Sequence, residues 1–281
     1  MSTHKATFTR ILVAADPRNP RCTAAASDLQ GRLRRAGFAT VPAAEAGAAG
    51  GEDLLVVLGG DGCLMHTLAS LGYPPLAVFG VNFGQVGFLM NGPDSATDIV
   101  AILREGRCRE TELPVLSART IDAHGEREFL AINDFVLERV GGQTARLDLF
   151  IEGVLLNRYS GDGLIVATGT GSTAYTLAAG GPAVHPDVHA MIITPVNPHR
   201  PVQFHSLQFP LVLPLGARLE IRVVDRDARA MRLVADGNQA AEPESTVICW
   251  SGRKVRLLRT KDFSYVSALV QKVIGNKSEG A

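Results

Sequence analysis

One carboxylate, Asp61, sits inside a run of glycines, Gly59-Gly60-Asp61-Gly62. It follows a continuous apolar run, Leu54–Leu58, and precedes a helical stretch from Cys63 to Leu71. A strand that ends in glycines and opens a helix aims free backbone N–H groups at one point, with the helix dipole behind them, which suits an anion. Carboxylates repel phosphates, so an acid in such a loop must bind a bridging metal, accept a proton, or hydrogen-bond a sugar hydroxyl. The plainer alternative is that Asp61 caps the helix it precedes. The segment by itself leaves both readings open. The G-K-[ST] ending of a Walker A loop is absent.

A second candidate spans Gly161–Gly181, GDGLIVATGTGSTAYTLAAGG. Thr168, Thr170, Ser172 and Thr173 join glycine amides to offer many uncharged donors, suited to phosphate oxygens or sugar hydroxyls. Tyr175 adds a flat face for a base or ring. Residues Gly169–Ala174 formally match the dinucleotide fingerprint G-x-G-x-x-G/A, but the surrounding residues are β-rich and a lone fingerprint is weak. Asn133-Asp134 interrupts an apolar strand containing Phe129, Leu130 and Ile132; alone it reads as a turn. His66, five residues past Asp61, belongs on a helix flank from which a phosphate is within reach. The seven histidines lack ligand spacing, so no protein-only metal site is expected. Ser172 has no G-x-S-x-G elbow, which argues against a serine hydrolase.

The elements around these residues change character along the chain. The first hundred residues alternate strand and helix: Ile11–Ala15, then Ala25, Leu29 and Leu33 at helical spacing, then Leu54–Leu58, Leu76–Val81 and a helix through Arg104 that Asp94 or Ser95 would cap. That predicts an α/β domain with a parallel sheet. After Glu112 the segments are short and alternating, such as Val115–Ile121, Phe129–Leu137, Arg146–Ile151 and Leu219–Val224, with turns at His124-Gly125 and Glu152-Gly153. They predict a second, all-β, sandwich-like domain over 113–260. Tyr265, Leu269 and Val273 resume helical spacing, so residues 261–281 are expected to rejoin the first domain, 1–112.

Composition sets limits on function. The 281 residues carry 28 basic and 28 acidic side chains, and the balance gives no reason to expect a nucleic-acid partner. Four scattered cysteines form no C-x-x-C pair and fit a reducing compartment. No apolar run approaches a membrane span, so the expected location is cytoplasmic, away from membranes.

Taken together the motifs resemble the NAD kinase family. The likeness rests on LGGDG at Leu58–Gly62, GVNFGQVGFL at Gly80–Leu89, IND at Ile132–Asp134 and DGLIVATGTGSTAY at Asp162–Tyr175. It continues in AAGGP at Ala178–Pro182, ITP at Ile193–Pro195, and Asp236-Gly237. The resemblance implies NAD and ATP as substrates, with Mg²⁺ or another divalent cation brought by ATP, and a homodimer or homotetramer. It makes Asp61 the proton acceptor for the 2′-hydroxyl, in a loop with Gly60, Gly62 and His66. It gives Asn133 and Asp134 the ribose hydroxyls, Asp162 the nicotinamide end, and Thr170, Thr173, Ala174, Tyr175, Ala178 and Asn238 the walls around NAD. Three positions depart from the family pattern: Asp134 replaces the usual glutamate, Gly169 a proline, and Ser160 a common arginine. The shared Gly-Gly-Asp-Gly leaves two alternatives, a diacylglycerol- or sphingosine-type lipid kinase and a non-catalytic NAD(H)-binding sensor. The first lacks its G-T-x-N-D stretch here.

Overall fold

The computed structural model describes residues 8–84, 87–199 and 206–275. Gln85 and Val86 of the second motif lie outside the described residues. The chain divides into two compact units, residues 1–112 with 254–281, and residues 113–253.

In the first unit β1 (Arg10–Ala15) leads into α1 (Pro20–Arg35), followed by β2 (Ala39–Pro42), β3 (Asp53–Gly59), α2 (Asp61–Ser70), β4 (Ala77–Asn82) and α3 (Ser95–Glu105). The strands lie parallel in the order β2-β1-β3-β4. All seven residues of β3 are buried, as a central parallel strand requires. Asn19 caps α1 by accepting from the Arg21 amide, Pro20 occupies the first turn, and Gly37, at φ 91°, ends the turn after it. The expected cap of α3 is made differently: Asp94 makes no side-chain cap bond, and the Ser95 hydroxyl donates to the Gly92 carbonyl. One core joins Leu29 and Leu33 of α1 and Ile99 and Ile102 of α3 to Ile11, Val56 and Phe79 on one face of the sheet. Gly80 points to the opposite face, where a Cβ would stand 3.2 Å from Leu64 of α2. Helices therefore cover both faces.

The second unit is built from antiparallel strand pairs. Its strands are β5 (Cys108–Asp122, shared at its start with the first unit), β6 (Gly125–Ala131), β7 (Asp134–Arg139), β8 (Ala145–Ile151), β9 (Val154–Gly161) and β10 (Gly163–Thr168). The short helix α4 (Tyr175–Ala178) follows, then β11 (Ala190–Val196), β12 (Leu211–Pro214), β13 (Leu219–Val223), β14 (Met231–Ala235), β15 (Asn238–Ala241) and the opening residues of β16 (Ser245–Thr260). One sheet runs β12-β11-β10-β7-β14-β15. Facing it, β13 pairs with β8 and with residues 245–248 of β16, while β8 pairs with β9. Phe135, Leu164 and Met191 of one sheet share a core with Leu147, Tyr159 and Ile221 of the other. That is a sandwich. Glu152-Gly153 and Asp236-Gly237 form two-residue hairpin turns with positive φ at both positions, the geometry such loops favour.

The C-terminal segment returns to the first unit. Arg256 and Leu257 of β16 pair parallel with Ala77 and Val78 of β4. The helix α5 (Tyr265–Leu269) and a single π turn, Val270–Ile274, follow. Among the described residues no helix is long and apolar enough to cross a membrane, and the four cysteines are free thiols.

Candidate active site

Asp61 occupies the first turn of α2, after Gly60 in extended conformation at the N-cap. Its side chain does not cap that helix. One oxygen accepts from the Phe88 amide at 2.8 Å and the other from the Leu89 amide at 3.1 Å. A carboxylate held by two backbone donors far along the chain has been placed by tertiary structure, and the capping reading fails. Gly87 lets the loop come this close, since a Cβ there would collide with Asp61 Oδ1. Gly60 and Gly62 face open space. His66 is exposed on the second turn of α2.

The loop that holds Asp61 is itself fixed from below. Asn91, fully buried, donates to the Gly80 and Leu258 carbonyls and accepts from the Thr260 amide. Arg259, 3% exposed, donates to the Phe88 and Met90 carbonyls and lies over the Phe263 ring. Burial pushes its pKa down to about 9, against the pull of Asp61, so the guanidinium stays charged at neutral pH. With the Phe88 and Met90 carbonyls turned toward Arg259, the Phe88 and Leu89 amides are free to serve Asp61. Lys272 reaches the same carboxylate from the C-terminal turn, with Nζ 3.4 Å from Oδ2.

The second constellation lies in the β-rich unit. Asn133 and Asp134 mark the break between β6 and β7, where the sequence pattern predicts one stretch. The cause is Asp236, whose carboxylate accepts from the amides of Ile132 at 2.9 Å, Asn133 at 2.8 Å and Asp134 at 3.2 Å. Thr168 ties the other side of the turn, donating its hydroxyl to the Ile132 carbonyl and its amide to the Asn133 carbonyl. Gly171 packs against Asn133, where a Cβ would overlap its carbonyl. Asp134 is 6% exposed. Burial, reinforced by the neighbouring Asp236 charge, pushes its pKa up to about 7. A carboxyl raised this far toward neutrality can donate to a hydroxyl as well as accept from one.

A groove of about 320 Å³ passes over Asn133, Asp134, Val136 and Glu138, with Tyr175 and Asp236 in its walls. Tyr175 is 43% exposed, as a free ring face requires. Ala174 also lines this groove, and Ala178 is exposed in α4. The Thr170 hydroxyl is buried without a protein partner, and that of Thr173 donates to the Thr170 carbonyl. Asn238 is exposed beside the Asp236-Gly237 turn. Asp162 stands apart. Gly163 pairs with Glu138 and Ala167 with Asp134, so Asp162 lies five residues, about 17 Å, along β10 from the Asp134 register. There a hydrogen bond from Asn197, with the Arg139 guanidinium beside it, holds Asp162 below the usual carboxylate range.

A larger groove of about 480 Å³ elsewhere in this unit includes Asp122, Arg127 and Arg226. There Arg127 pairs with Asp122 and Arg226 with Glu244, and none of the candidate site residues named from the sequence lines it. The smaller groove, which gathers Asn133, Asp134, Ala174 and Tyr175, is therefore the candidate binding groove of this unit. The sequence pattern does not reveal the roles of Asp236, Arg259 and Lys272. Asp236 leaves a signal in the Asp236-Gly237 motif, and Arg259 as a charge set in the apolar strand of Val255, Leu257 and Leu258.

The ATP-NAD kinase C-terminal domain family matches residues 132–260. Yeast NADH kinase complexed with NADH shares the fold at a TM-score of 0.82 and 21% identity, covering 98% of this chain and 90% of that one. An NAD kinase from Archaeoglobus fulgidus in complex with ATP does so at 0.70 and 24%, covering 94% and 98%. The NAD kinase of Clostridium beijerinckii is 33% identical over 233 residues, 81% of this chain and 80% of its own length. By that relationship the chain belongs to the NAD kinase family.

Proposed function

We propose that this protein transfers the γ-phosphoryl of ATP to the 2′-hydroxyl of the adenosine ribose of NAD, making NADP. The 2′-oxygen forms a bond to the γ-phosphorus, the bond from that phosphorus to the β–γ bridging oxygen breaks, and ADP leaves. The hydroxyl proton passes to Asp61. The observation that carries this reading is the placement of Asp61: fixed by two amides, at the start of α2, beside two glycines that face open space. In a loose transition state the proton leaves late, after most of the bond to the leaving oxygen has broken. Asp61 chiefly orients the nucleophile, and the Gly59–Gly62 amides receive phosphate charge.

Asn133 and Asp134 hydrogen-bond ribose hydroxyls. Tyr175, Thr173, Ala174, Ala178 and Asn238 contribute the surrounding wall, Thr170 supplies a free hydroxyl, and Asp162 serves the nicotinamide end. Among the described residues no three His, Cys, Asp or Glu side chains stand close enough to hold a metal. The divalent cation is brought by ATP, as part of the substrate, as the family resemblance implies. The protein works in the cytoplasm, as a homodimer or homotetramer.

The test is NADP formation from NAD, ATP and Mg²⁺, followed with an NADP-specific dehydrogenase, with Asp61→Asn alongside. The variant should lose kcat far more than it raises the NAD KM. A large KM increase at unchanged kcat would refute the role of Asp61. No observation favours a lipid kinase. NAD binding without ATP consumption would identify a sensor.

A further inference from the structure

We propose that Lys272 is the cation that contacts the phosphoryl group in transit, so that the C-terminal turn completes the chemistry around Asp61. This rests on the reading of Asp61 as the residue that orients the acceptor hydroxyl. Lys272 arrives 211 residues after Asp61, with Nζ 3.4 Å from Oδ2 and 4.7 Å from the centre of the Phe88 ring.

Two features set this pair apart from an ordinary ion pair. Asp61 is already satisfied, since its oxygens accept from Phe88 and Leu89 at 2.8 and 3.1 Å. The lysine contact is longer than either, and longer than the ~2.8 Å of a committed charge-assisted bond. Lys272 is also open to solvent, its side chain 41% exposed against 24% for Asp61. The ammonium therefore stands on the solvent-facing side of the carboxylate, where a substrate would approach. Phe88 holds it there, offering a ring face to the cation while packing against Tyr265 at 5.8 Å. Arg259 cannot take this part, because it is buried and committed to two carbonyls and the Phe263 face.

The distances then follow. A hydroxyl bonded to Asp61 lies ~2.7 Å from its oxygen, and the reacting phosphorus must come within roughly 3–3.5 Å of that hydroxyl. Its outer oxygens fall within reach of an ammonium already beside the same carboxylate, on a flexible four-carbon stem. Such a cation also removes the conflict of an acid placed where a triphosphate must approach.

The test uses the full chain as Lys272→Met and Lys272→Arg, with kinetics for both substrates, NAD binding by calorimetry, and thermal melting. Lys272→Met should lower kcat on the order of 10²-fold, with any change in KM falling on ATP and not NAD. NAD affinity and melting temperature should stay near wild type, and Lys272→Arg should recover part of the rate. An active wild type whose Lys272→Met variant keeps kcat within about threefold overturns the proposal. So does a fall in kcat matched by lost NAD affinity and a lower melting temperature, since Lys272 would then merely hold the tail in place. A wild type that forms no NADP refutes the functional reading itself, and the lysine's role with it.

Discussion

Replacing Asp134 by asparagine should stabilise the β-rich unit in alkali and much less in acid. In the fold Asp134 is 6% exposed, and desolvation with the adjacent Asp236 charge raises its pKa from 3.8 to about 7. Three amides point at the Asp236 carboxylate, and its charge adds to the burial that raises Asp134. On unfolding, Asp134 regains water and its ordinary pKa. The folded state thus binds the proton more tightly, so the contribution of Asp134 is complete below about pH 4 and is lost as pH rises to about 7. At 1.36 kcal/mol per unit, that span of about three units is worth about 4 kcal/mol. Asparagine keeps the volume and has no charge to desolvate. Between pH 5 and 8 the variant should therefore gain about 2–3 kcal/mol on wild type. The single tryptophan, Trp250, belongs to this unit and is 43% exposed, so urea unfolding followed by its fluorescence reports the right event. Comparing both proteins at each pH cancels the other titrating groups. A difference that stays constant from pH 5 to 8, or a variant less stable at pH 8, would refute the buried-pair argument.

Other substitutions probe the supports of the site. Gly87→Ala places a Cβ against Asp61 Oδ1 and 3.2 Å from Met90 Cγ; kcat should fall by about ten- to a hundredfold with NAD binding by calorimetry unchanged. Gly171→Ala overlaps the Asn133 carbonyl and should cost about 1–3 kcal/mol in urea unfolding, with a raised NAD KM. Asp236→Asn weakens the charge that receives the 132–134 amides. It should raise the NAD KM about tenfold with a smaller effect on kcat, and cost about 1–3 kcal/mol of stability. An NAD KM within twofold of wild type would show that the turn holds without Asp236.

Much of the site is legible in the sequence because its signals are local. A glycine run between an apolar strand and a helix fixes where Asp61 must emerge, and the hydroxyl-rich stretch after β10 announces a binding loop by composition. What is illegible involves partners distant in sequence. Asn133-Asp134 alone is a turn; it becomes a shaped wall because Asp236, a hundred residues later, receives its amides. Asp162 heads the same motif as Tyr175, yet strand register sets it about 17 Å along β10 from the Asp134 level.

The sequence by itself determined the two kinds of unit. Continuous apolar runs such as Leu54–Leu58 demand burial on both faces, and alternating runs such as Leu219–Val223 demand it on one, whatever the rest of the chain does. The tertiary structure decided where the acid at position 61 points. A carboxylate at a helix start takes the nearest amides unless better-placed donors arrive. Here the Phe88–Leu89 amides, aimed by Arg259 from beneath and closed over by Gly87, are better placed, and Lys272 comes to the open side. Those contacts span 27 to 211 residues, and no local periodicity encodes them.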